Sequence, residues 1–308
     1  MLNPESLKTI LPPTVYTSVI CNLDEAQLQE IRVRAGMPVC VTYRGREYCL
    51  TRGGVSDDPS LALFATAEDV KGIVVAASEH SVYAYNDDIN RGFITVSGGV
   101  RIGVCGETVY ARGSLVTVKN YSSVNIRIPH EITGCSSNIM SDIVANHCKA
   151  LIVSPPGAGK TTMLRDIARS LSDDSPHFSV LIADERCELA CVSGGVPGMN
   201  VGMRTDVISG STKAHAFECA VRSMRPDVII TDEIFGQADI EIIREAIGCG
   251  ISVIASAHAD GPETLMRRRF IREAVEERLF ERYYFLSGDF GDGHIAAVCD
   301  AGLTSVDV

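Results

Sequence analysis

The stretch Leu151-Ile-Val-Ser154-Pro155-Pro156-Gly157-Ala158-Gly159-Lys160-Thr161-Thr162 gathers two glycines, an ammonium group and three hydroxyls within a few residues. That chemistry suits a chain of phosphates. Glycines let the main chain turn so that several N–H groups face one anion. Lys160 is then placed to reach the β- and γ-phosphates, and the Thr161 hydroxyl to coordinate Mg²⁺. The string follows the phosphate-loop pattern G-x-x-x-x-G-K-[ST], except that Ser154 stands at the first glycine position. Ser154 would be costly there only if the position required positive φ. An apolar run precedes the loop, and Met163, Leu164, Ile167, Ala168 and Leu171 continue it as an amphipathic helix. The positive end of that helix would lie beneath the anion. The expected ligand is ATP with Mg²⁺, cradled by residues 154–162.

Such a loop needs carboxylates from a neighbouring strand. Val228-Ile229-Ile230-Thr231 reads as a buried strand that ends in Asp232-Glu233, at the edge where open α/β sheets keep their ligands. Asp232 is expected to orient water on Mg²⁺, and Glu233 to act as the general base for the attacking water. Val180-Leu-Ile-Ala183 ends similarly in Asp184-Glu185-Arg186-Cys187-Glu188. These acids, Glu185 and Glu188 among them, either help to orient the water or cap the next element and pair with Arg186; both readings stand, because clustered acids repel unless a cation is shared. Ser256 and His258 end a further apolar run, where His258 either senses the γ-phosphate or serves as a hydrogen-bonded structural residue.

The elements that must hold these residues follow from periodicity. Short β-branched runs at residues 151–153, 180–183, 228–230 and 251–254 alternate with helical segments, which is how buried parallel strands read in an α/β domain. A helix is expected over residues 137–147. Before residue 135 the pattern is α+β: a short helix over residues 24–33, a hairpin around Arg44-Gly45-Arg46, a capping-box start at Thr66 and Asp69 leading into a helix, and a second hairpin across Ser97-Gly98-Gly99. The chain is therefore divided into domains at residues 1–134 and 135–308.

Composition narrows the function. A net charge of −11 disfavours extended nucleic-acid contact, so no nucleic-acid partner is expected. Eleven cysteines without any Cys-x-x-Cys pair read as reduced thiols and small core residues. The opening residues, with Asn3, Pro4, Glu5 and Lys8, lack the order of a signal peptide, and no apolar stretch nears the ~20 residues of a membrane span. A cytoplasmic protein is expected.

The chain resembles the stage III sporulation protein AA family of endospore-forming bacteria, nearly end to end. The resemblance is carried by Ser154 to Asp166, Asp184 to Glu188, Arg204-Thr-Asp-Val207, Arg222-Ser-Met-Arg-Pro-Asp227 leading into Asp232-Glu233, Arg91 to Gly103 and Asn125-Ile-Arg-Ile128. That family is in turn similar to the ATPases of type II and type IV secretion systems, which share an acidic box, here Asp184 to Glu188, and a box ending in histidine, here His258. The resemblance implies a RecA-like phosphate-loop ATPase domain with a mostly parallel central sheet, preceded by a smaller N-terminal domain for oligomer and partner contacts. It implies a homo-oligomer, a hexamer, that powers membrane-embedded channel proteins between mother cell and forespore. A non-hydrolysing nucleotide-dependent scaffold is the alternative. One departure stands out: Ile234-Phe235-Gly236-Gln237 follows Glu233 where these families often carry an arginine. The arginine that meets transition-state charge is therefore sought among Arg91, Arg101, Arg127, Arg204, Arg222 and Arg225.

Overall fold

A computed structural model describes residues 4–111, 113–129, 132–174, 176–287 and 294–306. Part of the reading of the first residues, at Asn3, lies outside them. The chain divides into two compact units, one of Met1–His130 with Ser193–Gly198, the other of Glu131–Val192 with Met199–Val308.

In the first unit, helices α1 (Pro4–Ile10) and α2 (Pro13–Asn22) precede strands β1 (Leu28–Arg34), β2 (Cys40–Tyr43), β3 (Arg46–Thr51) and β4 (Gly54–Ser56). Helices α3 (Ala67–Ala77) and α4 (Asn86–Asn90) follow, then β5 (Phe93–Val96), β6 (Val100–Ala111) and β7 (Ser114–Arg127). Among the described residues these strands form one seven-stranded antiparallel sheet, ordered β4-β3-β2-β1-β7-β6-β5. Both expected hairpins are present. So is the capping box: the Asp69 amide donates to Thr66 Oγ1 at 3.1 Å and the Thr66 amide to Asp69 Oδ2 at 2.8 Å. The helix expected over residues 24–33 is not there. Only Glu25–Gln27 turns, and β1 takes the rest, because Ile31 and Val33 are β-branched and bury one face between β2 and β7.

The second unit runs α5 (Met140–Ala145), β8 (Ala150–Ser154), α6 (Lys160–Asp173), β9 (Val180–Asp184), β10 (Thr205–Ser209) and α7 (Lys213–Cys219). It continues with β11 (Val228–Glu233), α8 (Gln237–Gly248), β12 (Ser252–His258), α9 (Pro262–Leu265), α10 (Arg269–Glu276), β13 (Arg282–Leu286), β14 (Ile295–Asp300) and β15 (Ser305–Val306). Among the described residues the sheet has eight strands, ordered β10-β9-β11-β12-β8-β13-β14-β15. Pairing is parallel from β10 to β13 and antiparallel through β14 and β15. The four apolar runs fall on β8, β9, β11 and β12. They read as continuous rather than alternating because both faces are covered. Leu151, Leu181, Ile229 and Val253 meet the residues of α7, α8 and α10 on one face, while Ile152, Ile182, Ile230 and Ile254 meet Met163, Leu164 and Ile167 of α6 on the other. Helix α5 is shorter than residues 137–147. Ser136 is fixed just before it, donating its amide and hydroxyl to Asp166 at 2.8 and 2.7 Å, and His147 and Cys148 adopt positive φ just after it. No described helix is long and apolar enough to cross a membrane.

Candidate functional site

Strand β8 delivers the chain to its carboxyl edge at Ser154, and α6 begins at Lys160. Between them Gly157 has φ 81° and Gly159 φ 92°, in the left-handed region that favours glycine. Ser154 does not share that conformation, so a serine is tolerated at the first position of the loop. Among the described residues no side chain caps α6. Its first amides thus lack an intrahelical partner and are available to an anion.

Lys160 is folded back onto its own loop. Its ammonium donates to Ser154 O, Ser154 Oγ and Pro155 O, each at 3.1 Å, and lies 2.8 Å from His258 Nδ1. Burial disfavours its charge, Glu233 opposes that effect, and the net pKa falls to about 8. Nδ1 also lies 3.3 Å from Ser154 O; in the tautomer whose Nδ1 accepts from the ammonium, Nε2 carries the proton. Nε2 lies 3.2 Å from Glu233 Oε2, which makes His258 the link between Lys160 and Glu233.

The second wall comes from β11. Its ladder with β12 slips between Ile230 and Glu233, and such a slip turns strand-end side chains to new directions. Asp232 and Glu233 both border a cleft of about 400 Å³ that Pro156, Gly157, Gly159, Lys160, Thr161 and Thr162 line from the other side. Glu188, Ser256 and His258 complete it, together with Arg186. Ala158 is buried, and Pro155 contributes its carbonyl to Lys160. Thr161 and Asp232 therefore border one space.

The acids after β9 divide in role. Asp184 is fully buried, and its carboxylate accepts the amides of Glu188, Leu189 and Ala190 at 2.8, 3.1 and 2.9 Å. It caps the loop that follows β9. Arg165 of α6 clamps the same loop, donating to Leu189 O at 2.7 Å and to Glu188 O at 2.9 Å. Glu188 borders the cleft, whereas Glu185 accepts from Lys213 at 2.9 Å.

Lys213 is a site residue that no sequence pattern marks. It opens α7 with its side chain 4% exposed, and its ammonium also lies 3.0 Å from Asp232 Oδ1. Burial works against that charge, but Glu185 and Asp232 outweigh it, and the pKa lies above the ordinary lysine value. The contact with Asp232 is an ion pair of close approach without hydrogen-bond direction, since neither Asp232 oxygen has a hydrogen-bond partner among the described residues. Burial, then the nearby Asp184 and Glu185, hold the Asp232 pKa above the usual carboxylate value against the pull of Lys213. The meaning of Lys213 arises from acids on two other strands, which its own neighbours in the chain do not reveal.

A nucleotide with a divalent cation fits this donor set. Asp232 Oδ2 is buried without a donor among the described residues, Oδ1 has only the Lys213 ammonium beside it, and no side chain caps the first amides of α6. Among the described residues no group of three His, Cys, Asp or Glu side chains builds a metal cage. A cation here would take most of its oxygens from phosphate and water, as Mg²⁺ does.

A family model described as "Sporulation stage III, protein AA" matches residues 7–304. Stage III sporulation protein AA of Bacillus subtilis (strain 168) is 33% identical over 301 residues, 96% of this chain and 92% of that protein. The fold is similar to that of the ATPase DotB of Yersinia pseudotuberculosis, with a TM-score of 0.56 and 17% identity over 89% of this chain and 76% of that one. It is also similar to the pilus retraction motor PilT, solved with bound ADP, with a TM-score of 0.56 and 17% identity over 85% and 74% of the two chains. Those low identities speak for an α/β fold shared with DotB and PilT and for nothing finer. The likeness in sequence spans nearly the full length of the chain, and on that ground the chain belongs to the sporulation stage III protein AA family.

Proposed function

We propose that this chain is a Mg²⁺-dependent ATPase with a RecA-like nucleotide core, acting as one subunit of a homo-oligomeric ring, a hexamer, that powers the channel complex between mother cell and forespore. The reading places it in the cytoplasm, held at the membrane through channel proteins. The observation that carries the catalytic half is the meeting of Lys160, Thr161, Asp232 and Glu233 at one cleft. The motor half draws on the family and on the fold shared with DotB and PilT.

The residues divide the work by chemistry. Main-chain amides from Gly157 to Thr161 bind the phosphates, and Lys160 exchanges its loop carbonyls for the β- and γ-phosphate oxygens. Thr161 and Asp232 would hold Mg²⁺, Asp232 through water; the ion, when bound, neutralises charge on the phosphates. Glu233 orients the attacking water and accepts its proton as the water oxygen bonds to the γ-phosphorus and the bridge to the β-phosphate breaks. His258, between Lys160 and Glu233, is placed to register the loss of the γ-phosphate.

Phosphate release from ATP by the purified protein tests the reading. Lys160→Ala is expected to abolish nucleotide binding, and Glu233→Gln to keep binding while lowering turnover at least a hundredfold, within the range ascribed to general base catalysis of about 10²–10⁴. An unchanged rate in a folded Glu233→Gln protein would remove the assigned base. ATP held without phosphate release by the wild type would assign the scaffold reading instead.

A further inference from the structure

The geometry points to Arg186 as the guanidinium that meets the terminal phosphate of a bound nucleoside triphosphate, supplied within the same chain; this rests on the nucleotide reading of the cleft. The other cations at the cleft each have partners of their own. Lys160 rests on Ser154, Pro155 and His258 and already serves the β- and γ-phosphates in the nucleotide reading, so it does not supply a second cation there. Lys213 is occupied by Glu185 and Asp232. Arg165 is occupied by the carbonyls of Glu188 and Leu189. Arg186 borders the same cleft and donates no hydrogen bond among the described residues. Its ion pair, Nη1 to Glu233 Oε2 at 3.9 Å, is too long for a hydrogen bond.

The guanidinium is nevertheless held in place. Its carbon lies 4.8 Å from the centroid of the Phe235 ring, a cation–π contact, and the side chain remains 51% exposed. Behind it, the Asp184 carboxylate ties down the amides of residues 188–190, which fixes the turn that presents Arg186. The Lys213 ammonium lies 5.3 Å from the centroid of the same ring, so Phe235 stands between the two cations. A planar fork of donors, ordered on an aromatic face and lacking hydrogen-bond acceptors, matches phosphate oxygens bidentately. Glu233 lies within electrostatic reach of the same group. Arrival of a γ-phosphate would draw Arg186 from Glu233 and leave that carboxylate to the water.

A contact with the γ-phosphate alone discriminates between nucleotides that differ only there. Affinities for ADP and for a non-hydrolysable ATP analogue, each with Mg²⁺, are to be measured by calorimetry for the wild type, Arg186→Gln, Arg186→Lys and Phe235→Leu. Arg186→Gln is expected to weaken the ATP analogue at least tenfold and ADP less than twofold. Arg186→Lys should recover part of the loss, since it keeps charge without the fork, and Phe235→Leu should fall between it and the wild type. If Arg186→Gln fails to fold, the Phe235→Leu ratio decides alone. Equal weakening of both nucleotides, or of neither, would overturn the assignment and leave Arg186 as a partner of Glu233. ADP binding by the wild type that is lost in Lys160→Ala upholds the nucleotide reading whatever Arg186 does; a wild type that binds neither nucleotide overturns both.

Discussion

At the scale of single residues, the site is a balance of buried charges in which Lys213 is the element most exposed to loss. Its ammonium is what Glu185 and Asp232 share, with Asp184 close behind. Lys213→Met would leave these acids facing one another without a cation. Breaking a buried pair costs about 3–5 kcal/mol, and the partial exposure of Glu185 lowers the expectation to about 2–3 kcal/mol. Urea denaturation checks this; a loss under about 0.5 kcal/mol, the size of an ordinary surface change, would show that the ammonium is not needed there. Site residues that lie next to one another in the chain are legible from the sequence alone. Lys160 and Thr161 sit in one string, and Asp232 and Glu233 end one strand. Lys213 and Arg186 are not legible in this way, because their partners come from other strands. Arg186 reads in sequence as a neighbour of Glu185 and Glu188, whereas its ion pair is with Glu233.

At the scale of elements, Asp166 joins helix α6 to the segment that enters α5. Its carboxylate accepts the amides of Gly134 and Ser136 at 2.9 and 2.8 Å, the Ser136 hydroxyl at 2.7 Å, and Arg169. Burial alone would raise its pKa, but these donors overcome burial and lower it below 3.8. A depressed carboxylate pKa stabilises the fold above the unfolded value and loses that contribution as pH falls through the folded one. Thermal unfolding should therefore show stability falling in acid, as pH drops below the ordinary carboxylate range, in the wild type. In Asp166→Asn the protein should be less stable at pH 7 by about 1–3 kcal/mol, with a shallower loss in acid. A parallel acid limb in the two proteins would remove Asp166 from the account. Strands buried on both faces, such as β8, β9 and β11, are plain in the sequence as unbroken apolar runs. Strand β1 reads as helix because an acidic start at Asp24 and Glu25 also opens its short 3₁₀ turn. Strands β10, β14 and β15 carry half-buried or exposed residues, and their places towards the sides of the sheet are set by pairing rather than pattern.

At the scale of the whole molecule, the proposed motor requires copies of the chain to assemble. Mass in solution is expected to rise from a smaller species towards a hexamer as protein concentration and a non-hydrolysable ATP analogue increase. A monomer under all conditions, with ATP turnover intact, would separate the enzyme from the ring. Nothing in composition speaks to assembly; it enters through family and fold likeness. The proposed nucleotide cleft, by contrast, is lined by residues of one chain and can be tested directly. The decisive measurement is a crystal structure of Glu233→Gln with Mg²⁺ and ATP. The expected result is a metal ion about 2.0–2.1 Å from the Thr161 hydroxyl, with one of its waters on Asp232 and Lys160 on the phosphates. ATP bound away from Lys160, or a metal ion remote from both Thr161 and Asp232, would contradict it.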